Sequence, residues 1–157
     1  MSLLSFFQWL AGTRLSAAMA ASKWAFAIVE MVHLLGLASL GGTILMVDLR
    51  LLGLRLRRRP AAEVARELSP LSWASLTVLV ISGILLVIDG PLRYYGNAAF
   101  RLKMLLLLAA VTFSFTLHRR AVRFSSERVT AQARVAAVVS LVLWLSVGLA
   151  GRAIGFL

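Results

Sequence analysis

Four stretches of the chain are continuously apolar over the length of a bilayer crossing, and the polar residues gather between them. A hydrocarbon core about 30 Å thick takes roughly 20 helical residues at about 1.5 Å each. The first stretch runs from Trp24 to Val47 and is broken only by Glu30 and His33. The second, Leu71 to Ile88, opens after Pro70 and closes at Asp89-Gly90-Pro91, so that proline marks both ends. The third spans Phe100 to Leu117, and its uncharged part from Met104 onward covers 14 residues. Arg101 and Lys103 at one end, and His118-Arg119-Arg120 at the other, extend it by snorkelling. The fourth runs from Val135 to Gly151 and ends at Arg152. These elements predict an all-α fold: one membrane domain over residues 1–157, an antiparallel up-down four-helix bundle with short connections.

Residues 1–22 lack the basic start of a signal peptide and lead straight into a full-length span. Leu3, Leu4, Phe6, Phe7 and Leu10 share one helical side, with Gln8 and Arg14 elsewhere. The pattern predicts an interfacial helix lying on the membrane. Gly36, Ser39 and Thr43 on the first span, and Ser82 and Gly83 on the second, would let neighbouring helices approach closely.

Composition narrows the class. Hydrophobic residues make up 61% and charged residues 15% of the 157, against roughly 45–50% and about 25% in soluble domains. A chain this short cannot bury so much apolar surface in water, which excludes a soluble domain, and the hydrophobicity excludes a disordered one. The absence of cysteine removes disulfides, thiolate metal sites, iron–sulfur clusters and cysteine nucleophiles. The formal net charge of +11 fits anchoring at anionic headgroups better than nucleic-acid binding. Arg50, Arg55, Arg57, Arg58, Arg59 and Arg66 follow the first span, and Arg119, Arg120, Arg123, Arg128 and Arg134 follow the third. Those eleven cations share a side, against six on the other (Arg14, Lys23, Arg93, Arg101, Lys103 and Arg152). The positive-inside rule places loops 48–70 and 118–134 in the cytoplasm and both termini on the outer side.

Ionisable groups at lipid depth cost about 2.5–3.5 kcal/mol each on insertion scales, so each calls for a reason. His33 lies about 4 Å from the centre of the first span, and Glu30 is one turn further out, at i and i+3 on neighbouring positions. An imidazole with an adjacent carboxylate suits a haem or metal ligand with its orienter, or a hydrogen-bonded pair that locks helix packing. Lys103 lies about 10 Å from the centre of the third span, near the level of Glu30. The two are expected to form an interhelical ion pair, or Lys103 to approach a bound carboxylate. Asp89, Arg93, Tyr94, Tyr95, Asn97, Arg101 and Arg152 gather at the same end, where cations above a buried histidine would seat an anionic head. His118, at the opposite end, differs in depth from His33 by roughly 16 Å. That difference argues against one haem held by both histidines of one subunit, and His118 reads as an interfacial residue of the cationic flank.

P-loop, HExxH and CxxC patterns and a serine nucleophile elbow are all missing. The stretches Trp24–Ala38 and Gly42–Gly53, with Tyr95–Lys103, Leu117–Arg120 and Ala150–Arg152, resemble a family of uncharacterised small bacterial inner-membrane proteins. More distantly, a histidine opening the first span and a lysine opening the third resemble the copper-resistance D membrane domain and the membrane protoporphyrinogen oxidases. That likeness would make His33 and Lys103 the ligand-site positions.

The leading expectation is a protein binding haem b or a related redox ligand. His33 is its principal ligand, Glu30 its orienter or a second metal ligand, and Lys103, Arg93 and Arg152 hold the anionic portion; no catalytic residue is assigned. Two others stand beside it: a non-catalytic accessory or assembly subunit of a larger membrane complex, and a metal (copper) or proton carrier using Glu30 and His33; a homo-oligomer is a further expected partner state. The bilayer is the expected partner, and nucleic acid is not.

Overall fold

The computed structural model describes residues 3–54, 59–118, 120, 122 and 130–156. Arg55, Arg57, Arg58, Arg119, Arg123 and Arg128 lie outside the described residues, so their role in the positive flank is not addressed by the structure. The described chain is helical: α1 (Leu3–Ala11), α2 (Arg14–Ala21), α3 (Ala25–Leu51), α4 (Ala61–Asp89), α5 (Pro91–Gly96), α6 (Ala98–Phe113) and α7 (Ala131–Ala153), with a π-helical turn, Ser114–His118, continuing α6. Four helices are long and apolar enough to cross a membrane: Ala25–Leu51, Ala61–Asp89, Ala98–Thr116 and Ala131–Ala153. Ile28, Met31, Leu34 and Leu35 on α3, and Val142, Leu145 and Leu149 on α7, are exposed, an outer surface that water would not tolerate.

Local chemistry sets the ends. Asn97 accepts a hydrogen bond from the Phe100 N–H at 3.0 Å, and Thr130 one from the Ala133 N–H at 3.2 Å, capping α6 and α7. At the end of α3, Gly53 takes φ 77°. Its N–H bonds the Arg50 carbonyl and that of Leu54 the Leu49 carbonyl, the paired closure that favours glycine in the left-handed region.

Two elements differ from expectation. In place of one interfacial helix over residues 1–22, the described residues form two helices, Leu3–Ala11 and Arg14–Ala21, because Thr13 ends α1 and caps α2 through a bond from the Ser16 N–H. Both pack on the protein itself, α1 against α5 and α2 against α4, with the Phe7 and Tyr95 ring centroids 5.4 Å apart. The second long helix starts at Ala61, ten residues before the expected Leu71, and carries Pro70 in its interior. Pro70 deprives the Arg66 carbonyl of a partner, and Arg66 is exposed.

The long helices pack in the order α4–α3–α7–α6, and α4 and α6 do not close the ring. Neighbours run antiparallel, since Thr43, Ser39 and His33 of α3 meet Ser72, Ser75 and Ser82 of α4 in reverse sequence. Down α3 the seam follows Phe26, Val29, His33, Gly36, Leu40, Thr43, Val47 and Arg50, alternating three- and four-residue steps as helices crossing at a shallow angle require. Gly36 is what brings α4 close: a Cβ there would stand 3.2 Å from Leu79 Cγ and 3.3 Å from Val78 Cγ1. On α7, Ala133, Ala137 and Ser140 are buried. This stripe of small residues lets α7 reach α3 directly. Val47, Leu51, Ala61, Val64, Val122, Ala133 and Ala137 form the core at the Arg-rich end. At the other end Asn97 Nδ2 donates to the Ile154 carbonyl at 3.3 Å, tying the α5–α6 corner to the last residues of the chain.

Replacing Gly36 by Leu is expected to cost about 1–3 kcal/mol by overpacking the seam. Gly41→Ala, which meets nothing within 4 Å, is expected to be neutral or stabilising by up to about 1 kcal/mol. Unfolding of the two variants in detergent measures both.

Candidate functional site

Polar groups line the α3–α4 seam from end to end. Ser72 Oγ donates to Thr43 Oγ1 at 2.9 Å, and Ser75 Oγ to Ser39 Oγ at 2.8 Å. His33 Nδ1 lies 2.8 Å from Ser82 Oγ. Ser82 gives its proton to the Val78 carbonyl at 2.5 Å, so its oxygen accepts from His33 Nδ1–H. The ring is then the tautomer whose Nε2 carries a lone pair. Lys103 lies within electrostatic reach of this ring. Its Cε and Nζ lie along α7, each 3.4 Å from where a Cβ on Gly151 would stand.

Glu30 does not join them. It is exposed and makes no hydrogen bond or ion pair among the described residues, so neither the expected Glu30–Lys103 pair nor a His33–Glu30 pair forms. The reason is the seam: the position that continues it outward from His33 is Val29, and one further residue rotates Glu30 by about 100° onto the outer face. Arg93 stacks over the Phe26 and Tyr94 rings at 6.0 and 5.2 Å, and Arg152 over Phe156 at 5.0 Å. Both arginines are exposed residues beside their own aromatic partners. No group of three or more His, Asp or Glu side chains suited to a metal ion occurs among the described residues.

A second constellation lies at the opposite end. Asp48 and Arg50 have 0% and 1% of their surface exposed. Asp48 Oδ1 is 2.7 Å from His118 Nε2, on the π-helical turn that ends α6. Turns of this type interrupt α-helices at functional positions. Here Ser114 and His118, at its two ends, both line a cavity of about 570 Å³ among α3, α4, α6 and α7. Its walls include Thr43, Ser72, Trp73, Phe115, Ser140 and Trp144. Trp144 Nε1 donates to Ser114 Oγ at 3.3 Å, anchoring the turn to α7. Asp48 Oδ2 and both Arg50 Nη atoms are buried without a partner among the described residues, while Arg50 Nε donates to the Arg59 carbonyl. Arg59 in turn clamps Glu67 and Glu63, 2.6 Å from the latter. Those two carboxylates push its pKa further up.

His118 is thus a half-buried ring held by a carboxylate. Depth along a single helix makes it interfacial. What holds it is Asp48, 70 positions away in sequence, together with a helix distortion that apolar periodicity does not announce.

The family model described as a family of unknown function (DUF6644) matches residues 6–157. The chain belongs to that family. The match lends no support to the more distant likeness to the copper-resistance D domain or the membrane protoporphyrinogen oxidases. No match is found among curated proteins or among solved structures.

Removing one partner of a buried pair strands the other, at a cost of about 3–5 kcal/mol. His118→Leu is expected to destabilise the protein by about that amount, and Glu30→Gln to leave unfolding unchanged; denaturant titration in micelles measures both.

Proposed function

We propose that this DUF6644 protein is a multi-pass bacterial inner-membrane protein that holds a small amphipathic ligand between its helices. The four long helices cross the bilayer up and down as an open bundle. Loops 48–70 and 118–134 face the cytoplasm and both termini the periplasm, a reading supported by the arginine asymmetry of the sequence and by the exposed apolar faces of α3 and α7. The observation that carries the ligand reading is the cavity beside Asp48–His118. A void of this size in a chain with so small a core fits ligand binding, because empty space forfeits packing. A largely apolar wall with a few convergent polar groups is the usual make-up of a small-molecule site.

A second reading keeps haem b at the other end, with His33 as its ligand. The hydrogen bond to Ser82 favours it, since an imidazole fixed through Nδ1–H offers Nε2 to a metal. Lys103 would face a propionate, while Glu30, Arg93 and Arg152 would take no part. A Soret band in protein expressed with ample haem, lost in His33→Ala and weakened in Ser82→Ala, supports this reading; a colourless wild type refutes it.

The ligand reading is tested by mass spectrometry of an organic extract of protein purified in mild detergent. Wild type is expected to carry a small amphipathic molecule near one per chain. Leu76→Trp, which fills the cavity, is expected to retain less than about a tenth of it, as tenfold follows from about 1.4 kcal/mol of lost binding. Leu145→Trp, on the exposed face of α7, is expected to retain it fully.

A further inference from the structure

We propose that the cavity selects the reduced, hydroquinone form of a lipid quinone: an aromatic ring carrying hydroxyl groups on an apolar tail. The proposal rests on the ligand reading above and adds the chemical class and redox form of the ligand.

The ring nitrogens of His118 carry the argument. Nε2 faces Asp48 Oδ1 at 2.7 Å, and a carboxylate oxygen accepts, so Nε2 holds the hydrogen. A ring that carries one hydrogen and donates it from Nε2 presents a lone pair at Nδ1. Nδ1 has no partner among the described residues, and His118 lines the cavity. The site therefore offers an acceptor to its occupant and is complemented by a hydroxyl donor. A hydroquinone supplies one. The oxidised quinone has only carbonyl acceptors, which would meet the lone pair of Nδ1 head-on.

The remaining walls suit a flat ring with a greasy tail. Trp73, Phe115 and Trp144 give aromatic faces, which favour offset stacking with a six-membered ring. The Thr43 hydroxyl donates to the Leu40 carbonyl, and the single hydrogen of Ser72 is shared between Thr43 Oγ1 and the Leu68 carbonyl. The route in is lateral. Because α4 and α6 do not pack together, the gap between them is crossed by Trp73 and Phe115, whose ring centroids are 5.5 Å apart and which are 49% and 41% exposed. A lipid dissolved in the bilayer reaches the cavity there without entering water. Arg66 is the cationic member of the lining, and a neutral headgroup needs no other counter-ion.

The test uses full-length protein in lipid nanodiscs. A decyl-tailed benzoquinone is offered in its reduced and oxidised forms, and the amount retained on gel filtration is quantified by chromatography. Wild type is expected to bind the reduced form about tenfold more tightly, the worth of one hydrogen bond to a buried acceptor. In His118→Phe the preference is expected to vanish while tail-driven binding persists. In Asp48→Asn the amide N–H can donate to Nε2, which moves the ring hydrogen to Nδ1, so the preference is expected to vanish or invert; this variant leaves no stranded carboxylate. Equal binding of both forms by wild type, or a preference that survives both substitutions, overturns the proposal. A brominated alkyl amphiphile that quenches tryptophan fluorescence in wild type but not in Leu76→Trp is the parallel arm. If it enters and the redox forms bind equally, the ligand class is wrong and the cavity reading stands. If it fails to enter and neither form binds, both fall.

Discussion

The carboxylate of Asp48 has no exposed surface, and a charge moved from water into an apolar interior costs several kcal/mol unless it is bonded there. That requirement ties the end of α3 to the end of α6 through His118, although those two helices are not direct neighbours in the packing order. Much at the Arg-rich end follows from it. The π-helical turn presents His118 and Ser114 to the interior, Trp144 fastens that turn to α7, and the small side chains of α7 let it lie against α3 so that the pair can close. The same arrangement holds α6 away from α4 and leaves the cavity between them.

At the opposite end the polar groups are managed differently. His33 is satisfied by Ser82, on the adjacent antiparallel helix, and Lys103 lies along α7 in space that Gly151 leaves free. Glu30, Arg93 and Arg152 are exposed, the two arginines over aromatic rings. Between the ends, Ser39–Ser75 and Thr43–Ser72 continue the seam. Hydroxyl pairs between apolar helices fix register as well as contributing energy, since a shift along the seam would leave several donors unpaired at once.

Two binding readings thus occupy opposite ends of one helical array and rest on different ring nitrogens. At His33 the hydrogen sits on Nδ1 and Nε2 has no partner among the described residues, the arrangement a metal ligand needs. At His118 the hydrogen sits on Nε2 and the free lone pair is on Nδ1, beside a cavity. The carboxylate partner and the space for a ligand are both at the second site.

The four long apolar helices, their antiparallel neighbours and the small residues at Gly36, Ser39, Thr43 and Ser82 were legible in the chain, because bilayer-length apolar runs and close-approach residues act locally along a helix. The inward position of His33 was legible for the same reason. Glu30 was misread because a three-residue spacing leaves two side chains about 60° apart, and only the actual seam decides which one faces a partner. The passage of α4 through Pro70, the distortion at Ser114–His118 and the pairing of His118 with Asp48 were beyond local reading. Composition and periodicity by themselves determined a helical chain suited to lipid. The tertiary structure alone decided which polar groups meet, because a contact such as Asp48–His118 depends on the packing order of helices far apart in sequence.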